Sequence, residues 1–110
     1  MRRLFLGNDW QLVRDMTEWS TTTGLYVPKS GLSLTGFLSA TKTGATIHAT
    51  LSKSLTERAS TGEYYATVPG TDLSAQLASY VGKVIYERVT GAGYQDAEPV
   101  QVLDARPAGE

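Results

Sequence analysis

The sequence predicts an all-β domain, a two-sheet antiparallel sandwich of immunoglobulin-like or jelly-roll type with one short helix, and three observations carry that prediction. Threonine and serine supply 23 of the 110 residues, and Val, Ile, Tyr and Thr recur in short runs, the composition of strands on a pleated surface. Gly, Pro, Asp and Asn interrupt those runs about every 8 to 12 residues, the turn spacing of a sandwich. Only residues 72–80 place apolar side chains at helical spacing, with Leu73, Leu77 and Tyr80 between a capping Asp72 and a stop at Gly82.

Read in order, residues 2–6 and 10–16 form two strands, and Gly7-Asn8-Asp9 between them is turn chemistry that predicts a hairpin. Residues 18–24 read as a loop, 25–27 as a short strand and 28–31 as a turn around Pro28 and Gly31. Extended structure resumes over 32–40. The clearest alternation lies at 45–51, where Ile47, Ala49 and Leu51 share one face and Thr46, His48 and Thr50 the other. A loop over 56–62 leads to a strand at 63–68, with Tyr64, Ala66 and Val68 on one face and Tyr65 and Thr67 on the other. Two more strands are expected at 83–90 and 99–103, joined by Gly91-Ala92-Gly93 and a polar connection containing Asp96 and Glu98. No internal repeat is present.

A chain of this length buries roughly 65% of its unfolded surface, enough for one core, so residues 1–110 are expected to form a single domain with an N-terminal arm over 1–6 and a flexible tail over 105–110. Ten Lys and Arg against eleven Asp and Glu give a net charge of -1; without a basic patch, nucleic acid is not an expected partner. The absence of cysteine removes disulfides, thiolate metal sites and cysteine nucleophiles and fits assembly in a reducing compartment. The opening residues are basic, but the apolar run that follows is too short for a targeting signal. No run approaches the ~20 apolar residues of a membrane-crossing helix, so a soluble protein without a membrane partner is expected.

Catalytic groups are sparse. His48 is the only histidine and falls on the polar face of its predicted strand, away from any arrangement of Ser52 or Ser54 with an orienting carboxylate. One histidine without cysteine does not make a structural zinc site. The stretch Gly36 to Thr43 has Thr where a phosphate loop needs its second glycine and lacks the flanking parallel strand and long helix, so it reads as a strand and turn. Glu57 and Glu63 are paired loop acids of the kind glycosidases use, but solvation is the ordinary fate of such groups. No enzyme activity, cofactor or metal is expected.

Aromatic residues are the more informative feature. Trp10, Tyr64 and Tyr86 are expected to fill the core. Trp19, Tyr26 and Tyr65 are candidate partner contacts, since exposed aromatics among small polar residues have the character of interface hot spots; the equal alternative for Trp19 is a loop side chain folded back as a lid on the core. Arg2, Arg3 and Phe5 join them, because an extended N-terminal strand can add to a neighbouring sheet and aim its arginines at carboxylates; the plain alternative is an edge strand of the chain's own sheet.

The order Thr23-Gly24-Leu25-Tyr26-Val27, then Gly44 to Leu51, Gly62-Glu63-Tyr64-Tyr65-Ala66-Thr67-Val68, the 73–80 segment and Val84-Ile85-Tyr86 resembles the small immunoglobulin-like or jelly-roll virion proteins of tailed bacteriophages. It departs from their pattern by the insertion at 28–43, where Thr-Gly-x-Tyr-Val ordinarily runs straight into the next strand. The resemblance implies a capsid decoration or cement protein, located in the virion and assembled in the host cytoplasm. Its expected partners are the major capsid protein or other virion proteins, with copies arranged as a homo-oligomer or symmetric array. A head-to-tail or tail-end assembly protein, and a carbohydrate-binding or adhesion module, are the alternatives.

Overall fold

Period-two alternation decides which side chains meet in the interior of this chain. The computed structural model describes residues 2–59 and 61–104, and the expected tail over 105–110 lies outside them. The elements run β1 (Arg2–Phe5), β2 (Trp10–Asp15), β3 (Thr17–Ser20), β4 (Leu25–Pro28), β5 (Thr35–Ser39), β6 (Lys53–Ser54), β7 (Thr56–Glu57), β8 (Glu63–Val68), α1 (Gly70–Leu77), β9 (Val84–Gly91) and β10 (Tyr94–Leu103). The protein is mostly β with one short α-helix, as the composition predicts. No helix among the described residues is long and apolar enough to cross a membrane.

Strands β1-β10-β9-β5-β6 form a five-stranded sheet, β2-β8-β7 a three-stranded sheet, and β3-β4 a separate two-stranded one. The β9–β10 hairpin is the longest pairing, from Tyr94↔Gly91 to Gln101↔Val84, and its turn holds Gly91, Ala92 and Gly93 all at positive φ. Leu4, Leu38, Ile85, Val100 and Val102 from the large sheet meet Trp10, Leu12 and Val68 from the smaller one, and Leu73 and Leu77 of α1 complete this core. A second cluster, Met16, Leu34, Leu55, Tyr64, Ala66 and Val89, lies beside it. Trp10 and Tyr64 are thus interior, while Tyr86 is only half-buried.

Several expectations need correction. The turn at 7–9 does not close a hairpin: β1 pairs with β10, in parallel, and β2 pairs with β8, so the chain changes sheets there and the pairing is not antiparallel throughout. Asp9 explains the value of that turn, because its Oδ1 accepts from the Gly70 amide at 2.8 Å and satisfies an otherwise orphaned donor at the start of α1. Pro69, and not Asp72, holds the N-cap position; Asp72 lies in the first turn, where its charge suits the helix dipole. Residues 45–51 are not a strand. One bridge, Ser39↔Thr46, is followed by a 3-10 turn at Ala49–Leu51, where the His48 Nδ1 accepts from the Thr50 amide at 3.2 Å and the Thr46 hydroxyl donates to the His48 carbonyl at 2.8 Å. These local side-chain bonds displace the ladder, yet Leu51 and Ile47 still reach the core. The expected loop over 56–62 opens with the short strand β7, and Asp96 and Glu98 belong to β10 and not to a connection.

The expected loop at 18–24 is also a correction, since Thr17–Ser20 pairs with Leu25–Pro28 from Thr17↔Pro28 to Ser20↔Leu25. The tip turns at Gly24, whose φ is +69° and whose amide bonds the Ser20 carbonyl at 2.8 Å. This hairpin pairs with no other strand and is exposed or half-exposed along its whole length; it is an arm. The arm is fixed at its base, where the Met16 amide donates to Gly62 O at 2.7 Å and the Lys29 amide to Met16 O at 2.9 Å. Gly62 has φ +76°, and a Cβ there would run into the Met16 carbonyl and Pro28. Gly62→Ala should therefore cost roughly 1–3 kcal/mol in urea denaturation; an unchanged midpoint would show that the base tolerates a side chain.

Candidate functional site

Two features stand out from the ordinary core and surface: a buried ionic seam that joins the sheets, and the apolar arm. The seam begins with parity. Arg14 shares the inward face of β2 with Trp10 and Leu12, and Glu87 shares that of β9 with Ile85 and Val89, so both charges are carried into the interior. Glu87 is 0% exposed and Arg14 7%. The Glu87 carboxylate accepts from Arg14 Nη1 at 2.5 Å, from Trp10 Nε1 at 2.5 Å and from Arg2 Nη1 at 3.0 and 3.1 Å. Arg14 also donates through Nε to Asp96 at 2.6 Å, and the Arg2 guanidinium lies 4.3 Å above the Trp10 ring.

Glu87 stands directly across from Glu98 in the β9–β10 register, an arrangement that is destabilising when left alone. Arg2 and Arg14 approach Glu98 at 3.6 and 3.4 Å as well, so each guanidinium spans the two acids. Both also bind carbonyls of β2, the edge strand of its sheet: Arg2 donates to Gln11 O at 3.3 Å and Arg14 to Val13 O at 2.9 Å. Side chains thus connect strands of the two sheets that no ladder joins.

Titration follows from this geometry. Burial pulls the Asp96 carboxyl upward, but donation from Arg14 and Tyr94, the Arg14 charge and the Val89 amide outweigh it and hold the group below its ordinary 3.8. Burial also disfavours the charged form of Arg14, yet Asp96 and Glu87 together raise its pKa. Burial and the Asp96 carboxylate both push the Tyr94 hydroxyl upward.

On the arm, Trp19 and Tyr26 are direct cross-strand partners and pack edge to face with centroids 5.1 Å apart at 74°. Alternation puts Glu18, Ser20, Leu25 and Val27 on the opposite face. Trp19, Leu25 and Tyr26 are 56%, 65% and 71% exposed. At the base, Glu57 accepts from Ser30 Oγ at 2.7 Å, Gly62 N at 3.1 Å and Gly31 N at 3.2 Å, bonds that lower its pKa, the Ser30 hydroxyl contributing most, against the opposing effect of burial. Tyr64 reaches the same place from the core, donating to Lys29 O at 2.6 Å.

The structure brings Trp19 and Tyr26 together and places the other candidates elsewhere. Arg2 is held by Glu87, Glu98 and Trp10. Arg3 is exposed on the other face of β1 and makes no ion pair among the described residues. Phe5 is half-buried on that same face, and Tyr65 is half-buried on β8 beneath Arg58, whose guanidinium lies 4.7 Å from its ring. His48 is exposed and serves its 3-10 turn. Glu57 and Glu63 are separately engaged, Glu63 with Arg58 at 2.8 Å. Among the described residues no pocket forms and no three His, Asp or Glu side chains gather in a metal-binding group. Sequence reasoning missed Leu25 as an arm residue and missed the seam. The signal for the seam was present, since Arg14 and Glu87 each interrupt an otherwise apolar parity. No protein-family model, curated protein or solved structure matches the chain.

Arg14→Met should cost about 3–5 kcal/mol, because it leaves Glu87 buried without its closest cation, whereas Arg14→Met with Glu87→Met should cost less than the two single changes summed; urea denaturation of all three variants checks this. Since the Asp96 pKa is lower folded than unfolded, its contribution is present above 3.8 and disappears as pH falls through the folded value. A pH series of thermal melts should show a decline below about pH 4 that is shallower in Asp96→Asn.

Proposed function

We propose that the protein is a non-enzymatic structural protein of a bacteriophage particle, a β-sandwich of immunoglobulin-like or jelly-roll type that works by surface contact, with the β3–β4 arm as its binding element. The arm carries the proposal. An isolated two-stranded hairpin gains little stability of its own, yet this one holds three large apolar side chains in water. At ~150–250 Å² for a large aromatic side chain, Trp19 and Tyr26, which share one face, together expose on the order of 300 Å², the lower end of a functional patch on an ordinary monomer. Aromatic residues at such sites are the usual hot spots.

The area also bears on the kind of partner. It is less than half of the ~800 Å² per partner in a stable protein interface, so one arm makes a weak contact, and many weak contacts gain strength when a symmetric shell repeats them. That is the situation of a capsid decoration or cement protein, and the resemblance to small phage virion proteins points the same way, with the major capsid protein as partner. A head-to-tail position would use the same arm at lower copy number. The sugar-binding alternative is less well supported, because Trp19 and Tyr26 pack edge to face and form no flat platform for a sugar ring.

The test uses purified protein and empty expanded capsids of its phage. It should bind at high copy number and raise the shell's resistance to heat. Trp19→Ala with Tyr26→Ala should weaken binding by about 30-fold or more while the circular-dichroism melt stays unchanged. Undiminished binding by that variant would remove the arm from the interface, and ring-like copy number would favour the head-to-tail position.

A further inference from the structure

We propose that the protein also associates with itself, the Glu18–Leu25 face of one copy's arm docking on the outer face of the five-stranded sheet of the next. The two surfaces are complementary in charge. In the register of β1, β10, β9 and β5, the acids Glu87, Asp96 and Glu98 all fall on the inner parity. The outer parity carries Arg3, Phe5, Val84, Pro99, Leu103 and Arg88 and has no carboxylate on any of the four strands. Val84 is 39% exposed, and Pro99 is exposed, where a sheet face turned to water is ordinarily polar.

This face has uncompensated positive charge. Arg3 has no ion-pair partner among the described residues. Arg88 is nearly buried, lies 5.0 Å from the Phe37 ring and donates to Gly44 O, but it too lacks a carboxylate among the described residues, and its Nε is buried without a hydrogen-bond partner. Lys42 adds a third cation above Tyr86.

The arm is the converse. Between Thr17 and Pro28 the one charged residue is Glu18, which is exposed, unpaired among the described residues, and on the same face as Leu25 and Val27. An apolar hairpin face with one anion and no cation therefore meets, in a second copy, an apolar sheet face with cations and no anion. Because the two patches are different surfaces of one chain, the contact is heterologous and builds rings or chains of copies. It uses the arm face opposite Trp19 and Tyr26 and leaves that pair open to another partner.

Charge reversal tests it by sedimentation of the full chain over a wide concentration range. The unmodified protein should grow in mass with concentration from its 11.9 kDa monomer. Glu18→Arg and Arg3→Glu should each shift association to about tenfold higher concentration or more, since each juxtaposes like charges. A 1:1 mixture of the two variants should recover association, because every arm–face contact between unlike copies again joins opposite charges. Persistence of association in Trp19→Ala with Tyr26→Ala would separate this contact from shell binding. A monomer at every concentration, indifference to both reversals, or a mixture no better than its components would overturn the proposal.

Discussion

The buried Glu87 carboxylate is the constraint to which the rest of the architecture conforms. A carboxylate with no solvent exposure is costly unless every lone pair is engaged and the charge is matched. Two strands supply what it needs: β1 brings Arg2, and β2 brings the Trp10 indole and Arg14. That requirement explains why the chain leaves one sheet after β1 and enters the other at β2. Both strands converge on one carboxylate of β9, where Arg2 and Arg14 each donate to Glu87 Oε1. The parallel β1–β10 pairing sets the register that brings Arg2 to Val100 and therefore next to Glu98 and Glu87.

The arm depends on the same body through a short series of contacts. Tyr64 is anchored in the second core cluster, and its hydroxyl donates to Lys29 O while accepting from Leu32 N. Glu57, on the neighbouring strand, holds Ser30, Gly31 and Gly62. The hairpin is thus exposed along its length but fixed at its root, a combination that presents apolar side chains at low ordering cost. Pre-organisation of this kind is what lets a small contact area bind.

Much of this was legible in the residues. The strands at 2–6, 10–16, 63–68 and 83–90 emerge from alternation and turn chemistry because one face of each meets the core, and the helix from Leu73, Leu77 and Gly82 for the same reason. The misreadings share a cause: side-chain bonds or distant pairing overrode local pattern. His48 and Thr46 bend a perfectly alternating segment into a 3-10 turn, and Thr17–Ser20, polar and Thr-rich, becomes a strand only because Leu25–Pro28 folds back on it. Asp96 and Glu98 resembled a solvated connection, since nothing local indicates that Arg14, more than eighty residues away, will neutralise them. The aromatic candidates Trp19 and Tyr26 were visible by type, but their juxtaposition required the hairpin.

Seam and surface are two consequences of one alternation. Strands β9 and β10 place Glu87, Asp96 and Glu98 on a single parity, and the period of two then leaves the other parity without acids, whatever the partner. Moving those carboxylates outward would solve the burial problem at Glu87 but would leave Arg14 buried and unpaired and would neutralise Arg3 and Arg88 outside. The sequence instead keeps every acid of β9 and β10 on the inner parity and leaves Glu18 as the single charge of the arm. A protein with a net charge of only -1 thereby acquires a cationic sheet face and an acidic arm, a polarity that composition alone conceals and that steers encounters between different surfaces more than between like ones.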